Sequence, residues 1–138
     1  MAIEWTDDLN TDISEIDNQH REMFRRVNDL LEACGRGKGR DEVHGILAFF
    51  QDYTMSHFGS EEQAMRESDY PHYESHKTEH LDFVDQITDM KQKMMKEGVG
   101  INMVLLTIRT SLVWLTAHIR RSDRKFADYL RQKREVKN

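Results

Sequence analysis

Breaks are so scarce in this chain that little except long helices can be drawn through it. The 138 residues include one proline and seven glycines, and six of these eight breakers gather at three places. Gly35, Gly37 and Gly39 crowd into one short run, and Ser68-Asp69-Tyr70-Pro71 forms a second break. Its proline suits the first turn of a following helix. Gly98 and Gly100 make the third. The chain is thereby cut into four segments, each long enough for several helical turns.

Every segment carries an apolar stripe at helical spacing. The first reads His20, Met23, Phe24, Val27, Leu30, Leu31, and the second Val43, Ile46, Leu47, Phe50, Thr54, His57, Glu61, Met65. The third alternates threes and fours through Tyr73, His76, His80, Phe83, Ile87, Met90 and Met94. The fourth keeps that rhythm with Ile101, Val104, Ile108, Ser111, Leu115 and His118. Such seams face partner helices at shallow crossing angles, and short connections make neighbours antiparallel. The expected fold is all-α, an up-down-up-down four-helix bundle with a non-helical N-terminal arm holding Trp5, Ile13 and Ile16. One domain is expected over 1–138, with the arm at about 1–17 and the bundle at about 18–125. A C-terminal tail or short helix would occupy about 126–138.

Composition narrows the function. A net charge of −5 lacks the clustered basic excess of a nucleic-acid surface. No apolar stretch reaches the roughly 18 to 20 residues of a membrane span, and the start shows no basic-then-apolar leader. Cys34 is the single cysteine, so an internal disulfide and a thiolate metal site are both excluded. A cytoplasmic setting is the expectation. The basic residues near the end (Arg120, Arg121, Arg124, Lys125) are interrupted by acids and read as a solvated face.

Seven histidines are the unusual feature, and five of them, His20, His57, His76, His80 and His118, sit on the stripes of all four segments. A lone histidine on an apolar face is usually a core residue bonded to a carbonyl. Five together need another account, because every buried imidazole nitrogen left unpaired costs a few kcal/mol. A central metal satisfies them all. His57 with Glu61 and His76 with His80 are four apart, which puts each pair on one helix face. Glu61 is costly to bury unless paired or metal-bound, although a place at the rim would leave it solvated. Asp123 lies five residues after His118, about 140° away on a regular helix. It joins the site only if the helix ends, bends or widens through a π-type turn between Ile119 and Ser122. Imidazoles and carboxylates without thiolates suit iron, zinc, copper or manganese. So many donors are too many for one ion, and two metals fit better.

The motifs are Ile16-Asp17-x-Gln19-His20, His57-Phe58-x-x-Glu61-Glu62, Tyr70-Pro71-x-x-x-x-His76-x-x-x-His80 and Trp114-x-x-x-His118-Ile119-x-x-x-Asp123. With Trp5 in the arm, the chain resembles the hemerythrin family in its single-domain bacterial form. The resemblance covers roughly residues 5 to 125. It implies two iron ions, one held by His76, His80 and His118 and the other by His20 and His57. Glu61 and Asp123 would bridge them beside an oxo or hydroxo bridge from solvent. Those donors leave one position of two six-coordinate metals open, on the two-histidine side, where dioxygen would bind. Met23, Phe58, Trp114 and Leu115, within a turn of the ligands, would line that vacancy, though each is equally a core residue by position.

The implied function is reversible dioxygen binding for storage, delivery or sensing, by a binding protein rather than an enzyme. The alternative is a di-iron redox enzyme on the same site that reduces peroxide, nitric oxide or dioxygen. No protein partner can be named. Two other patterns compete. His76-Lys77-Thr78-Glu79-His80 matches the H-x-x-E-H of inverted zinc proteases, but it leaves His20, His57, Glu61 and His118 without a role. A ferritin-like di-iron site needs Glu-x-x-His pairs, and the sequence has none. His44 and His72 fall off the stripes and read as solvated, and Cys34 reads as a spacer.

Overall fold

In the computed structural model, which describes residues 5–136, the chain runs back and forth through four long helices. They are α1 (Ser14–Gly35), α2 (Gly39–Glu67), α3 (Tyr73–Glu97) and α4 (Ile101–His118). A π-helical turn (Ile119–Asp123) and α5 (Arg124–Val136) prolong the fourth, and a 3-10 turn (Asp7–Leu9) lies in the arm. No strand occurs among the described residues. Each helix packs on the next, and α4 packs back on α1. The result is the all-α up-down-up-down four-helix bundle that the breaker pattern implies.

The links between helices use left-handed residues where the backbone must reverse. After α1, Gly37 has φ +72° and Lys38 N–H donates to Ala33 O at 2.7 Å. After α2, Asp69 has φ +55° and Tyr70 N–H donates to Met65 O at 2.9 Å. Both are six-residue closures that satisfy orphan carbonyls at a helix end. At the second, Met65 and Tyr70 also pack together with Phe126, so the closure is sealed by apolar contact. Gly39 has a different reason to be glycine. A Cβ there would meet Cys34 Sγ at 2.6 Å and Val104 Cγ1 at 3.2 Å.

The stripes bury as their spacing requires. His20, Met23, Phe24, Val27 and Leu30 are buried on α1, and all eight expected residues of α2 are buried. Ile101 departs from the expectation. It is the first residue of α4 and is 48% exposed. The main core, around Leu30, Leu47, Phe50, Phe83, Met90 and Val104, fills the bundle away from the histidines.

The arm is tied down rather than loose. Asp17 accepts from both the N–H and the hydroxyl of Thr11 at 2.8 Å, which starts α1 at Ser14, ahead of the boundary read from the sequence. Leu9 packs with Phe24 and Ile119, and the Trp5 ring meets Phe24 edge-on at 5.2 Å. The arm therefore lies against the π-helical turn.

Candidate metal centre

Alternating helix direction brings four stretches that are distant in sequence to one end of the bundle. These are the start of α1, the end of α2, the start of α3 and the end of α4. They carry His20, then His57 and Glu61, then His76 and His80, then His118 with Asp123 just beyond. All seven side chains are buried, none more than 5% exposed. Their donor atoms fall into two groups, each spanning no more than 4.8 Å. One comprises Glu61, His76, His80, His118 and Asp123, and the other His20, His57, Glu61 and Asp123. The two carboxylates belong to both.

Asp123 reaches the site because the helix changes pitch. Residues Ile119–Asp123 are π-helical, so the extra residue per turn rotates Asp123 back onto the seam of His118. His118 Nε2 lies 3.0 Å from Asp123 Oδ1. The distortion expected between Ile119 and Ser122 is present.

The interior of the cluster is crowded with donors that do not pair well with one another. The Nε2 atoms of His76 and His80 each approach His118 Nε2 to 3.2 Å. His76 Nε2 is 2.6 Å from Glu61 Oε1, and His20 Nε2 is 2.7 Å from Asp123 Oδ2. Even so, both Glu61 oxygens, Asp123 Oδ2 and His20 Nε2 are buried without a well-formed hydrogen bond. Buried polar atoms are rarely left so. Ring nitrogens and carboxylate oxygens converging on common points are what a cation would satisfy, and the absence of thiolate suits a hard or borderline one.

Charge in the cluster is divided unevenly. Burial pushes His57 down to about 4, with the Glu61 charge opposing. Burial also works against charging His76 and His118, but Asp123 and Glu61 overcome it and raise them to about 9 and about 10. Asp123 is held well below the usual carboxylate range; burial opposes this, and the His118 and His20 charges prevail. Two carboxylates inside a protein need compensating positive charge. Protonated imidazoles would supply it, and bound cations would take the place of those protons.

The outward faces of the rings have their own partners. His57 Nδ1 meets Gln19 Oε1, His80 Nδ1 meets Glu62 Oε2 at 2.8 Å, and His118 Nδ1 meets Glu79 Oε1 at 3.2 Å. Sequence reading gave these three residues no role as partners, although Gln19 and Glu79 each adjoin a stripe histidine and Glu62 adjoins Glu61. Adjacency alone does not mark them, because the contacts of Glu62 and Glu79 are made to histidines on other helices.

The four expected pocket residues lie on the core side of the cluster. Phe58 stacks on His80 with ring centroids 3.9 Å apart and planes 1° apart. Trp114 stacks on His118 at 4.4 Å and 15°. Both therefore cover rings of the three-histidine group, with Phe58 also 5.7 Å from the His57 ring. Met23 and Leu115 are buried in the main core together with Phe58. On the opposite side, Met65, Tyr70 and Phe126 close the bundle end. His44 and His72 are exposed and lie outside both groups. No described helix is long and apolar enough to cross a membrane.

Comparison with known proteins places the chain in a family. Residues 11–130 match the family model described as Hemerythrin HHE cation binding domain. A bacteriohemerythrin of Pseudomonas aeruginosa is 34% identical over 128 residues, covering 92% of this chain and 80% of that protein. One from Stenotrophomonas maltophilia is 35% identical over 127 residues, with the same two coverages of 92% and 80%. A myohemerythrin from Theromyzon tessulatum is 25% identical over 125 residues, 89% of each chain. With the profile spanning nearly the whole bundle and such relatives matching over most of their length, the chain belongs to the hemerythrin family.

Proposed function

We propose that this protein holds two non-haem iron ions at the cluster and binds dioxygen there reversibly, as a binding protein rather than an enzyme. The observation that carries the reading is the division of the donors into two groups with Glu61 and Asp123 in common. His76, His80 and His118 would hold one iron and His20 and His57 the other, with Glu61 and Asp123 shared between them. The two-histidine side is then one donor short, which leaves room for a small ligand. An iron pair held there would supply the reversible two-electron chemistry that dioxygen binding needs.

The chain's own residues serve this in three ways. Glu61 and Asp123 neutralise the cations from between them. Gln19, Glu62 and Glu79 hold the rings at Nδ1, so that Nε2 faces inward unprotonated. Met23, Phe58, Trp114 and Leu115 on one side, with Phe126 and Tyr70 on the other, keep bulk water and reductants out. Exclusion of both favours release of the ligand over its reduction. The single cysteine suits a reducing compartment such as the cytoplasm.

Iron-loaded protein, deoxygenated and then exposed to air, should develop a visible charge-transfer band that disappears on deoxygenation, with about two irons per chain. A single tightly held zinc with no iron uptake under reducing conditions would sink the di-iron reading. Steady turnover of peroxide, nitric oxide or dioxygen with an electron donor, and no reversible band, would favour a redox enzyme instead.

A further inference from the structure

We infer that Glu62 and Glu79 are positioning residues that make the three-histidine half of the site the electron-rich half and lower its reduction potential. This rests on the di-iron reading above and adds to it a division of labour between the two metals. The two carboxylates approach only that half. Glu62 Oε2 lies 2.8 Å from His80 Nδ1, and Glu79 Oε1 lies 3.2 Å from His118 Nδ1. On the other half, His57 meets the neutral amide of Gln19 and His20 Nδ1 is buried without a partner.

Glu79 is itself held in place. Ser122, inside the π-helical turn, donates its hydroxyl toward both Glu79 oxygens, 2.7 and 2.6 Å away. The turn that brings Asp123 into the cluster thus also supplies the clamp for the partner of His118. This gives the Glu of His76-Lys77-Thr78-Glu79-His80 a role unrelated to a protease base: it reaches across to α4, not into the metal cluster.

The physical effect follows from the ring. An imidazole whose Nε2 faces a metal carries its proton on Nδ1, and a carboxylate accepting that proton fixes the tautomer and makes the ligand more basic. A negative charge one ring away stabilises a ferric ion more than a ferrous one, so it lowers the potential. Screening sets the order of the two. The Glu62 side chain is 17% exposed and the Glu79 side chain 42%, and the more buried charge is screened less. Glu62 therefore has the larger effect.

The test uses the full iron-loaded chain with Glu62→Gln, Glu79→Gln and Ser122→Ala, and Glu97→Gln as a control at an exposed carboxylate at the far end of α3. Glutamine keeps an acceptor and removes the charge. Iron per chain, iron release to a chelator and the reduction potential by spectroelectrochemical titration are read together with the melting of the metal-free protein. Glu62→Gln and Glu79→Gln should both loosen iron about 10- to 100-fold and raise the potential. Every tenfold loss of ferric over ferrous affinity corresponds to about 59 mV for one electron. Glu62→Gln should move it more than Glu79→Gln, and Ser122→Ala least, in the same direction. An unchanged potential in Glu62→Gln and Glu79→Gln variants that keep two irons overturns this inference alone, as does an equal shift in Glu97→Gln. A drop in melting temperature with the potential unmoved shows a merely structural role and also overturns it. Failure of the unaltered chain to hold two irons overturns the di-iron reading and this one with it.

Discussion

The two ends of the bundle are built from the same helices at the same periodicity, yet they solve opposite problems. At the far end, Leu30, Val43, Leu47, Phe50, Met90 and Val104 meet as an apolar core, and burial stabilises them directly at roughly 25 cal/mol per Å² of apolar surface. At the site end, the seam positions are taken by five imidazoles and two carboxylates. Their burial costs free energy until something satisfies their polar atoms. The near end resists collapse into a purely apolar packing because three of its five rings, His57, His80 and His118, are braced from outside by Gln19, Glu62 and Glu79. Stability and function are thus separated along the bundle axis, with Met23, Phe58 and Leu115 at the boundary.

That separation can be broken from the site end with the largest expected effect. Asp123→Ala should abolish the second iron and the oxygen-dependent band, while far-ultraviolet dichroism of the metal-free protein keeps its helical content. Loss of helicity in that variant would mean that the far-end core cannot hold the bundle alone. From the other end, Phe50→Ala should lower the unfolding free energy by about 3–5 kcal/mol, since Phe50 is fully buried. Denaturant titration measures the loss, and iron per chain should stay at two. A spectrum altered by Phe50→Ala would show that the two ends are mechanically coupled.

A substitution at the boundary should register in both properties. Leu115 is 1% exposed and one turn before His118. Leu115→Ala should cost roughly 2–5 kcal/mol and should also shorten the lifetime of the oxygenated protein by admitting water. Lost stability with unchanged oxidation kinetics would place Leu115 wholly in the core. The smallest effect concerns neither end's chemistry. Asp69 is exposed and sits at φ +55° after α2, where an L-residue is strained by roughly 1–2 kcal/mol and glycine is not. Glycine loses roughly 0.5–1 kcal/mol in unfolded-chain entropy, so Asp69→Gly should stabilise by about 0.5 kcal/mol. A shift of the urea midpoint without any change in iron binding is the expected record.

Much of the site was legible before any coordinates. Residues one turn apart on a helix share a face whatever surrounds them, so His57 with Glu61 and His76 with His80 could be paired from spacing alone. Breaker positions then set helix direction, and antiparallel neighbours bring those faces to one end. The gap of five between His118 and Asp123 was legible too, as a conflict that an end, a bend or a change of helical pitch would resolve, and residues Ile119–Asp123 carry the change of pitch. These are matters of local geometry, which the order of residues determines.

Contacts between helices were not legible in that way. Glu62 reaches His80, Glu79 reaches His118 and Ser122, and Trp114 lies flat on His118 while also stacking on Phe83 at 4.3 Å. Which half of the site receives a charged partner depends on the relative rotation and axial offset of α2, α3 and α4. A shift of an ångström or two in either would leave every sequence pattern intact and exchange or remove those partners. The sequence by itself determined which residues face the bundle axis and at which end they gather, because helix periodicity and chain reversal are local. Only the tertiary structure decided which imidazole nitrogen meets a carboxylate and which meets an amide. Hydrogen bonds form within about 3 Å, a tolerance that helix packing sets and sequence spacing does not.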